Sequence, residues 1–193
     1  MDIKVLEDFL NQHTIPKTKK RPKTFLGIAK QPHYENVISN VYAFYFTVPE
    51  VHGMHDLFIV SLLELIKESK LGSQKKVYEI QDFEVDTEVS TDKNGRIDIL
   101  ISNSDYAIII ENKIYHILNN NLDDYWNSTK VKNDLPDNKI GIVLSLHKLD
   151  SLNPLHPHFI NITHLELQKR IIQNLGNYLM EAKDKYVVFL KDF

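Results

Sequence analysis

Three ionisable residues, Asp98, Glu111 and Lys113, lie in two segments that are otherwise rich in isoleucine. An isolated charge among buried aliphatic side chains carries a large desolvation cost, so each of these residues needs a partner or a ligand. Two carboxylates beside a lysine offer the hard oxygen ligands that Mg²⁺ or Mn²⁺ prefers. The sequence therefore predicts a divalent-metal site formed by Asp98 and Glu111, next to Lys113.

The two isoleucine-rich segments, residues 96–102 and 106–114, predict the strands of an antiparallel hairpin, because three polar residues interrupt them. Side chains alternate between the two faces of a strand. Glu111 and Lys113 are thus expected on one face, with Asn112 directed away from it.

The length of the loop between these strands decides whether the two acids meet. A two-residue turn at Asn103-Ser104 is expected to set Asp98 diagonal to Glu111, and a four-residue loop from Ser102 to Asp105 to set them directly opposite. Both arrangements bring the carboxylates within about 5–8 Å of each other. A three-residue loop would separate them onto different faces.

Asp98, followed after twelve residues by Glu111-Asn112-Lys113, resembles the D…(D/E)xK signature of the PD-(D/E)xK nuclease superfamily. Glu35-Asn36-x-x-Ser39 resembles the helix that precedes the core in small stand-alone members. Asn121-Leu122-x-x-Tyr125 is similar to the Q-x-x-x-Y helix of RecB-like members, with Asn in place of Gln. The similarity spans roughly residues 34–190.

The resemblance implies a role for each matching residue. Asp98 and Glu111 would bind the metal together with the backbone carbonyl of Asn112. Lys113 would orient the attacking water and stabilise the charge that develops in the transition state. Glu35 matches an acid that, in some members, adds a ligand or holds a water molecule near the metal.

Nucleic-acid contacts are expected from three parts of the chain. Asn121 and Tyr125 lie one helical turn apart and can reach toward a phosphate or toward the catalytic strand. Arg96 shares the strand face of Asp98 and can contact a phosphate. A basic arm at residues 17–23 can neutralise further phosphates, since it holds five cations: Lys17, Lys19, Lys20, Arg21 and Lys23.

Each of these assignments has a structural alternative. Glu111 and Lys113 can form a buried ion pair while Asp98 caps a turn. Glu35 can simply complement the dipole of its helix. Tyr125 can be a core residue, and the basic arm can be a solvated linker. Glu88, on the preceding strand, is a further acid that could assist the metal.

Bulk composition limits the possible functions. The chain has 193 residues, a formal charge of −3 and no cysteine, which excludes disulfides, thiolate zinc sites and cysteine nucleophiles. The charge excludes a generally basic nucleic-acid coat. No apolar run reaches membrane-spanning length, and the first residues are acidic rather than basic, so a cytoplasmic location without membrane contact is expected.

Periodicity predicts an α/β fold with a mixed central sheet flanked by helices, a restriction-endonuclease-like core with an N-terminal helical elaboration. We expect one nuclease-like domain over 1–193, with a helical part at 1–72, the core sheet at 75–146 and a C-terminal strand and helices at 147–193. Helices are predicted over 2–12, 33–47, 54–70 and 115–132, from the capping box Thr163–Glu166 onward, and at Tyr186–Phe193. Besides the hairpin, strands are predicted over 77–90, 139–146 and 158–162, and the first of these three can contain a bulge.

The resemblance implies a metal-dependent nuclease that hydrolyses phosphodiester bonds with Mg²⁺ or Mn²⁺, acts on nucleic acid with DNA favoured over RNA, and serves in defence against foreign DNA. One alternative is a non-catalytic relative that binds nucleic acid or a partner protein. Another is an interaction protein whose acids bind nothing. Cleavage specificity and formation of a homodimer are left open.

Overall fold

The computed structural model describes residues 3–12, 24–30, 34–114, 120–149 and 156–192. Within these residues four helices come first, followed by three strands, one helix, two strands and two helices. The elements are α1 (Ile3–Gln12), α2 (Phe25–Ile28), α3 (Glu35–Phe46), α4 (Leu57–Glu68), β1 (Glu84–Ser90), β2 (Arg96–Ser102), β3 (Ala107–Lys113), α5 (Leu122–Ser128), β4 (Lys139–Ser145), β5 (Phe159–Thr163), α6 (His164–Asn174) and α7 (Asp184–Asp192).

The strands form one five-stranded sheet in the order β1-β2-β3-β4-β5. β1, β2 and β3 form an antiparallel meander, whereas β4 runs parallel to β3 and β5 parallel to β4. The parallel pairs require crossover connections, which is why a helix stands between β3 and β4 and the meander needs none. The predicted mixed sheet with flanking helices is confirmed.

Hydrophobic side chains cover both faces of the sheet. On one face, Ile108 and Ile142 pack with α3, α4, α6 and α7 in what we call the main core. On the other face, Ile109 and Val143 pack with Trp126 of α5 in what we call the α5 core. Within the described ranges no helix is long and apolar enough to cross a membrane.

The loop of the β2–β3 hairpin has four residues, but it lies one residue later than expected. Ser102 pairs with Ala107, and Ile99 pairs with Ile110. The side-chain oxygen of Asn103 closes the loop by accepting the backbone N–H groups of Asp105 and Tyr106 at 2.9 and 2.8 Å. The predicted bounds, Ser102 to Asp105, are therefore wrong. The predicted outcome, Asp98 directly opposite Glu111, follows from the observed loop at 103–106, whereas the predicted bounds would have paired Asp98 with Ile109.

Two predicted elements are shorter in the structure. The first strand begins at Glu84 rather than at Val77, because Val77–Glu79 forms a 3-10 turn that buries Val77 in the main core. The helix predicted over 115–132 spans only Leu122–Ser128 within the described residues. The side chain of Asn121 starts that helix by accepting the backbone N–H of Asp124 at 3.1 Å. The short helix α2 was not predicted.

Gly72 fits the chain closely against the end of α4. A Cβ at this position would lie 2.0 Å from the backbone oxygen of Ile66, which is not free to move aside. We expect Gly72→Ala to lower the free energy of unfolding by about 1–3 kcal/mol in urea titrations. Gly176→Ala is the matched control, since its Cβ would have no neighbour within 4 Å. Equal losses in both variants would contradict this packing.

Candidate metal centre

The β2–β3 hairpin brings Asp98 and Glu111 together where its ladder ends. Extending the register beyond the Ile99–Ile110 pair by one residue sets Asp98 opposite Glu111. At this position the Asp98 side chain takes the place of a backbone acceptor on β2, since its Oδ2 accepts the backbone N–H of Asn112 at 2.7 Å. The carboxylate is thus fixed against the end of β3, beside the Glu111 side chain.

Lys113 extends from the same strand into this group of acids. Its Nζ lies 2.7 Å from Glu111 Oε1 and 3.3 Å from Glu35 Oε2. The side chain of Glu111 is 1% exposed and that of Lys113 12%. Glu35 comes from the first turn of α3, and its Oε1 also accepts the backbone N–H of Ile114 at 3.0 Å. The start of α3 is thereby joined to the end of β3.

The Asn112 side chain points to the opposite face, as strand alternation requires. Its Nδ2 donates to Ser39 Oγ at 2.9 Å and to the backbone oxygen of Glu35 at 3.1 Å. Ser39 Oγ in turn donates to the Glu35 backbone oxygen at 2.9 Å. Glu35 and Ser39, both singled out in the sequence, therefore anchor α3 on the strand that carries Glu111 and Lys113.

Helix α5 forms the other wall of the site. The buried Tyr125 accepts a hydrogen bond from Asn120 Nδ2 at 2.8 Å, and it lies close enough to Glu111 to lower the pKa of that carboxyl. Asp124 is also buried, and it accepts hydrogen bonds from Thr91 Oγ1 and from the backbone N–H of Lys93. These contacts hold the β1–β2 turn against α5.

The balance of charge in the site favours a cation. Burial raises the pKa of Glu111 to about 7, and the nearby charge of Asp98 adds to this shift against the opposing effect of Lys113. Burial also raises the pKa of Asp98, although the Asn112 N–H and Lys113 oppose it. Burial disfavours the Lys113 ammonium, yet the carboxylates of Glu111, Glu35 and Asp98 outweigh it and raise its pKa. One lysine does not neutralise three acids.

The donor set fits a divalent metal ion. Both carboxylate oxygens of Glu111 are buried. Oε1 lies 2.7 Å from Lys113 Nζ, and Tyr125 is the other donor close to this carboxylate. Carboxylate oxygens whose lone pairs are not all taken by donors can serve as metal ligands. Within the described ranges, no three acidic, histidine or cysteine side chains converge as a metal-binding group. A cation here would therefore need ligands besides carboxylates.

Most of the residues expected in the site line one cleft of about 360 Å³. Arg96 lies at this cleft with its side chain 58% exposed and its Nε paired with the carboxylate of Glu88. The basic-arm residues Lys17, Lys19, Lys20 and Arg21 lie outside the described residues. The lining residues are Glu35, Asn36, Lys93, Asn94, Gly95, Arg96, Asp98, Glu111, Lys113, Asn120, Asn121, Asp124 and Tyr125.

Asp124 is the main lining residue that the sequence did not indicate. It follows Asp123, and both acids occupy the first turn of α5, where acids are common. The Asp123 side chain is 77% exposed and pairs with His156, whereas Asp124 is buried. Only the fold distinguishes the two, because Asp124 faces the β1–β2 turn.

A family model described as the PD-(D/E)XK nuclease superfamily matches residues 24–193. The chain belongs to this superfamily. No curated protein and no solved structure matches the chain at a significant level. The match covers the whole sheet, the first helix of the site and the α5 wall.

The raised pKa of Glu111 predicts a specific pH dependence of stability in the absence of metal. Its pKa is about 7 in the folded protein and 4.5 in a free carboxyl, so between these values the folded state binds more protons and stability falls as pH rises. We expect Glu111→Gln to be more stable than wild type by on the order of 2 kcal/mol at pH 8 and by much less at pH 5, measured by urea unfolding in EDTA.

The matched control for this experiment is Asp86→Asn, which changes an exposed acid on β1. This variant should show no comparable gain at pH 8. A Glu111→Gln protein that is equally stable to wild type at both pH values would show that the buried carboxylate is not strained.

Proposed function

We propose that the protein is a metal-dependent nuclease that hydrolyses phosphodiester bonds of nucleic acid, DNA in preference to RNA. The observation that carries this proposal is the pairing of the half-buried Asp98 with the buried Glu111, set opposite each other beside Lys113 on the hairpin of a PD-(D/E)XK fold. The preference for DNA and a role in defence against foreign DNA rest on the superfamily alone. We place this activity in the cytoplasm, with homodimer formation left to experiment.

Asp98, Glu111 and the backbone carbonyl of Asn112 would hold Mg²⁺ or Mn²⁺. In an extended strand the N–H and C=O of one residue point to the same side. Because the Asn112 N–H points to Asp98, its carbonyl faces the same gap between β2 and β3. A bound cation neutralises phosphate oxygens and lowers the pKa of a coordinated water.

Lys113 supplies positive charge and does not act as a base. Its pKa is raised, so its ammonium stays protonated between Glu111 and Glu35. An ammonium in this place can donate to the attacking water and to a phosphate oxygen as negative charge develops. Glu35 orients Lys113 through the contact of 3.3 Å, and a role as an additional metal ligand remains a proposal for this residue.

Arg96 and Asn121 are the proposed phosphate contacts at the cleft, with the basic arm at Lys17, Lys19, Lys20 and Arg21 as a further one. Asn121 is the N-cap residue of α5 and also lines the cleft. Tyr125 is buried next to Glu111, so we assign it mainly to holding that carboxylate in place.

Divalent metal should stabilise the wild type through Asp98. A ligand that binds only the folded state raises stability by mass action, about 2.7 kcal/mol at a hundred times the Kd. We expect Mn²⁺ or Mg²⁺ to raise the melting temperature of the wild type and to leave Asp98→Ala unchanged. The rise should be larger at pH 8 than at pH 6, because protonated Glu111 competes with the cation. Equal shifts in wild type and variant would exclude this site.

Lys113→Ala should separate binding from catalysis. We expect it to keep the metal-induced rise in melting temperature and to lose cleavage by 100-fold or more, on the order of one missing transition-state donor. The assay incubates plasmid, linear and single-stranded DNA and RNA with Mg²⁺, Mn²⁺ or EDTA. Lys169→Ala, on α6 away from the cleft, is the control and should cleave as the wild type does. Near-normal turnover of Lys113→Ala would remove the lysine from the mechanism.

A further inference from the structure

Glu88 has an unusual backbone conformation inside β1. Its φ is +58°, a left-handed value that glycine and asparagine adopt far more readily than glutamate. The pairs Thr87–Ile99 and Val89–Ile97 flank it in one unbroken register, so no residue is inserted and this is not a bulge. A strained backbone of this kind at the edge of a functional site points to a role for its side chain.

The conformation of Glu88 coincides with a change of face in the β1–β2 ribbon. Before it, Val85 and Ile99 pack in the main core; after it, Val89 and Ile97 pack in the α5 core. The ribbon therefore turns over at Glu88. The end of the ribbon that carries the β1–β2 turn therefore lies against α5, where Asp124 accepts hydrogen bonds from the turn. This end forms one wall of the cleft.

The side chain of Glu88 lies beside Asp98 and contacts Arg96. The β1–β2 register sets Glu88 opposite Asp98 and Ser90 opposite Arg96, so Glu88 and Arg96 are diagonal neighbours within reach of long side chains. Glu88 Oε2 pairs with the Nε of Arg96. A bond through Nε leaves the two terminal amino groups of the guanidinium to contact another anion.

We infer that Glu88 is a positioning residue that directs the guanidinium of Arg96 over the cleft, toward a phosphate of the nucleic-acid substrate next to the one that is cleaved. This inference rests on the proposed nuclease function. Holding Arg96 requires a carboxylate, which explains why glutamate rather than glycine occupies this strained position. Without this contact the Arg96 side chain would sample many rotamers. The Glu88 carboxylate selects one in which the two terminal amino groups of the guanidinium face the cleft.

A direct role of Glu88 as a metal ligand fits the structure less well. Its Oε2 is engaged by Arg96, and within the described ranges no three acidic, histidine or cysteine side chains converge as a metal-binding group. Its Oε1 is buried and accepts no hydrogen bond from the described residues, but Glu88 is not among the residues that line the cleft. Glu88 therefore acts through Arg96.

The test is a double-mutant cycle with Glu88→Gln, Arg96→Ala and the double variant, in which kcat and KM are measured on a labelled DNA duplex with Mn²⁺. We expect Glu88→Gln to raise KM about fivefold with little change in kcat, and to have no further effect when Arg96 is already alanine. Arg96→Ala should also lower the salt slope of binding by about 0.7–0.9. Equal effects of Glu88→Gln in both backgrounds would overturn the inference.

Two controls separate positioning from simple structural damage. Glu68→Gln and Arg170→Ala break a comparable ion pair between α4 and α6, away from the cleft, and should leave both kinetic constants unchanged. Glu88→Gly relieves the strained backbone, so its melting temperature should not fall although its KM rises. A fall in melting temperature that accompanies the rise in KM would indicate a structural role instead.

Failure of this inference can be told apart from failure of the proposed function. A wild type that cleaves DNA, with independent effects of Glu88 and Arg96, contradicts only the positioning role. A wild type that cleaves no nucleic acid with either metal contradicts the nuclease function, and the positioning role is then excluded with it.

Discussion

The register of the β2–β3 hairpin is the constraint on which the site depends. Strand side chains repeat every two residues, so a slip of one residue would turn the Asp98 side chain to the main core and away from Glu111. Asn103 fixes the register from the loop, and the bond from the Asn112 N–H to Asp98 fixes it at the other end. The isoleucines between these points are buried, and a slip of one residue would turn each of them to the other face.

The remaining elements hold that hairpin end in place and give it its chemistry. Helix α3 is tied to β3 through Glu35, Ser39 and Asn112, and α5 is tied to the β1–β2 turn through Asp124. These contacts keep three acids around one lysine, an arrangement that costs stability while no cation is bound. Gly95 shows how closely the turn approaches α5, since a Cβ there would lie 2.9 Å from Asp124 Oδ2.

Local patterns in the sequence predicted much of this fold. Isoleucine-rich segments separated by a polar turn indicated β2 and β3, and Thr163 with Glu166 indicated the start of α6, where the capping box is present. The exact loop bounds depended on the side chain of Asn103, and the late start of β1 depended on the burial of Val77. The burial of Asp124 and the left-handed backbone of Glu88 arise from tertiary contacts, so no local pattern could reveal them.

Anomalous diffraction from crystals grown with Mn²⁺ tests the central claim most directly, because it locates the cation without relying on activity. The account predicts one anomalous peak between Asp98 and Glu111, about 2.0–2.6 Å from an oxygen of each and from the Asn112 carbonyl. A peak elsewhere, with Glu111 still bound only to Lys113, would contradict it. The acids of the site would then form a structural ion-pair cluster with Lys113, and the nuclease proposal would lose its metal site.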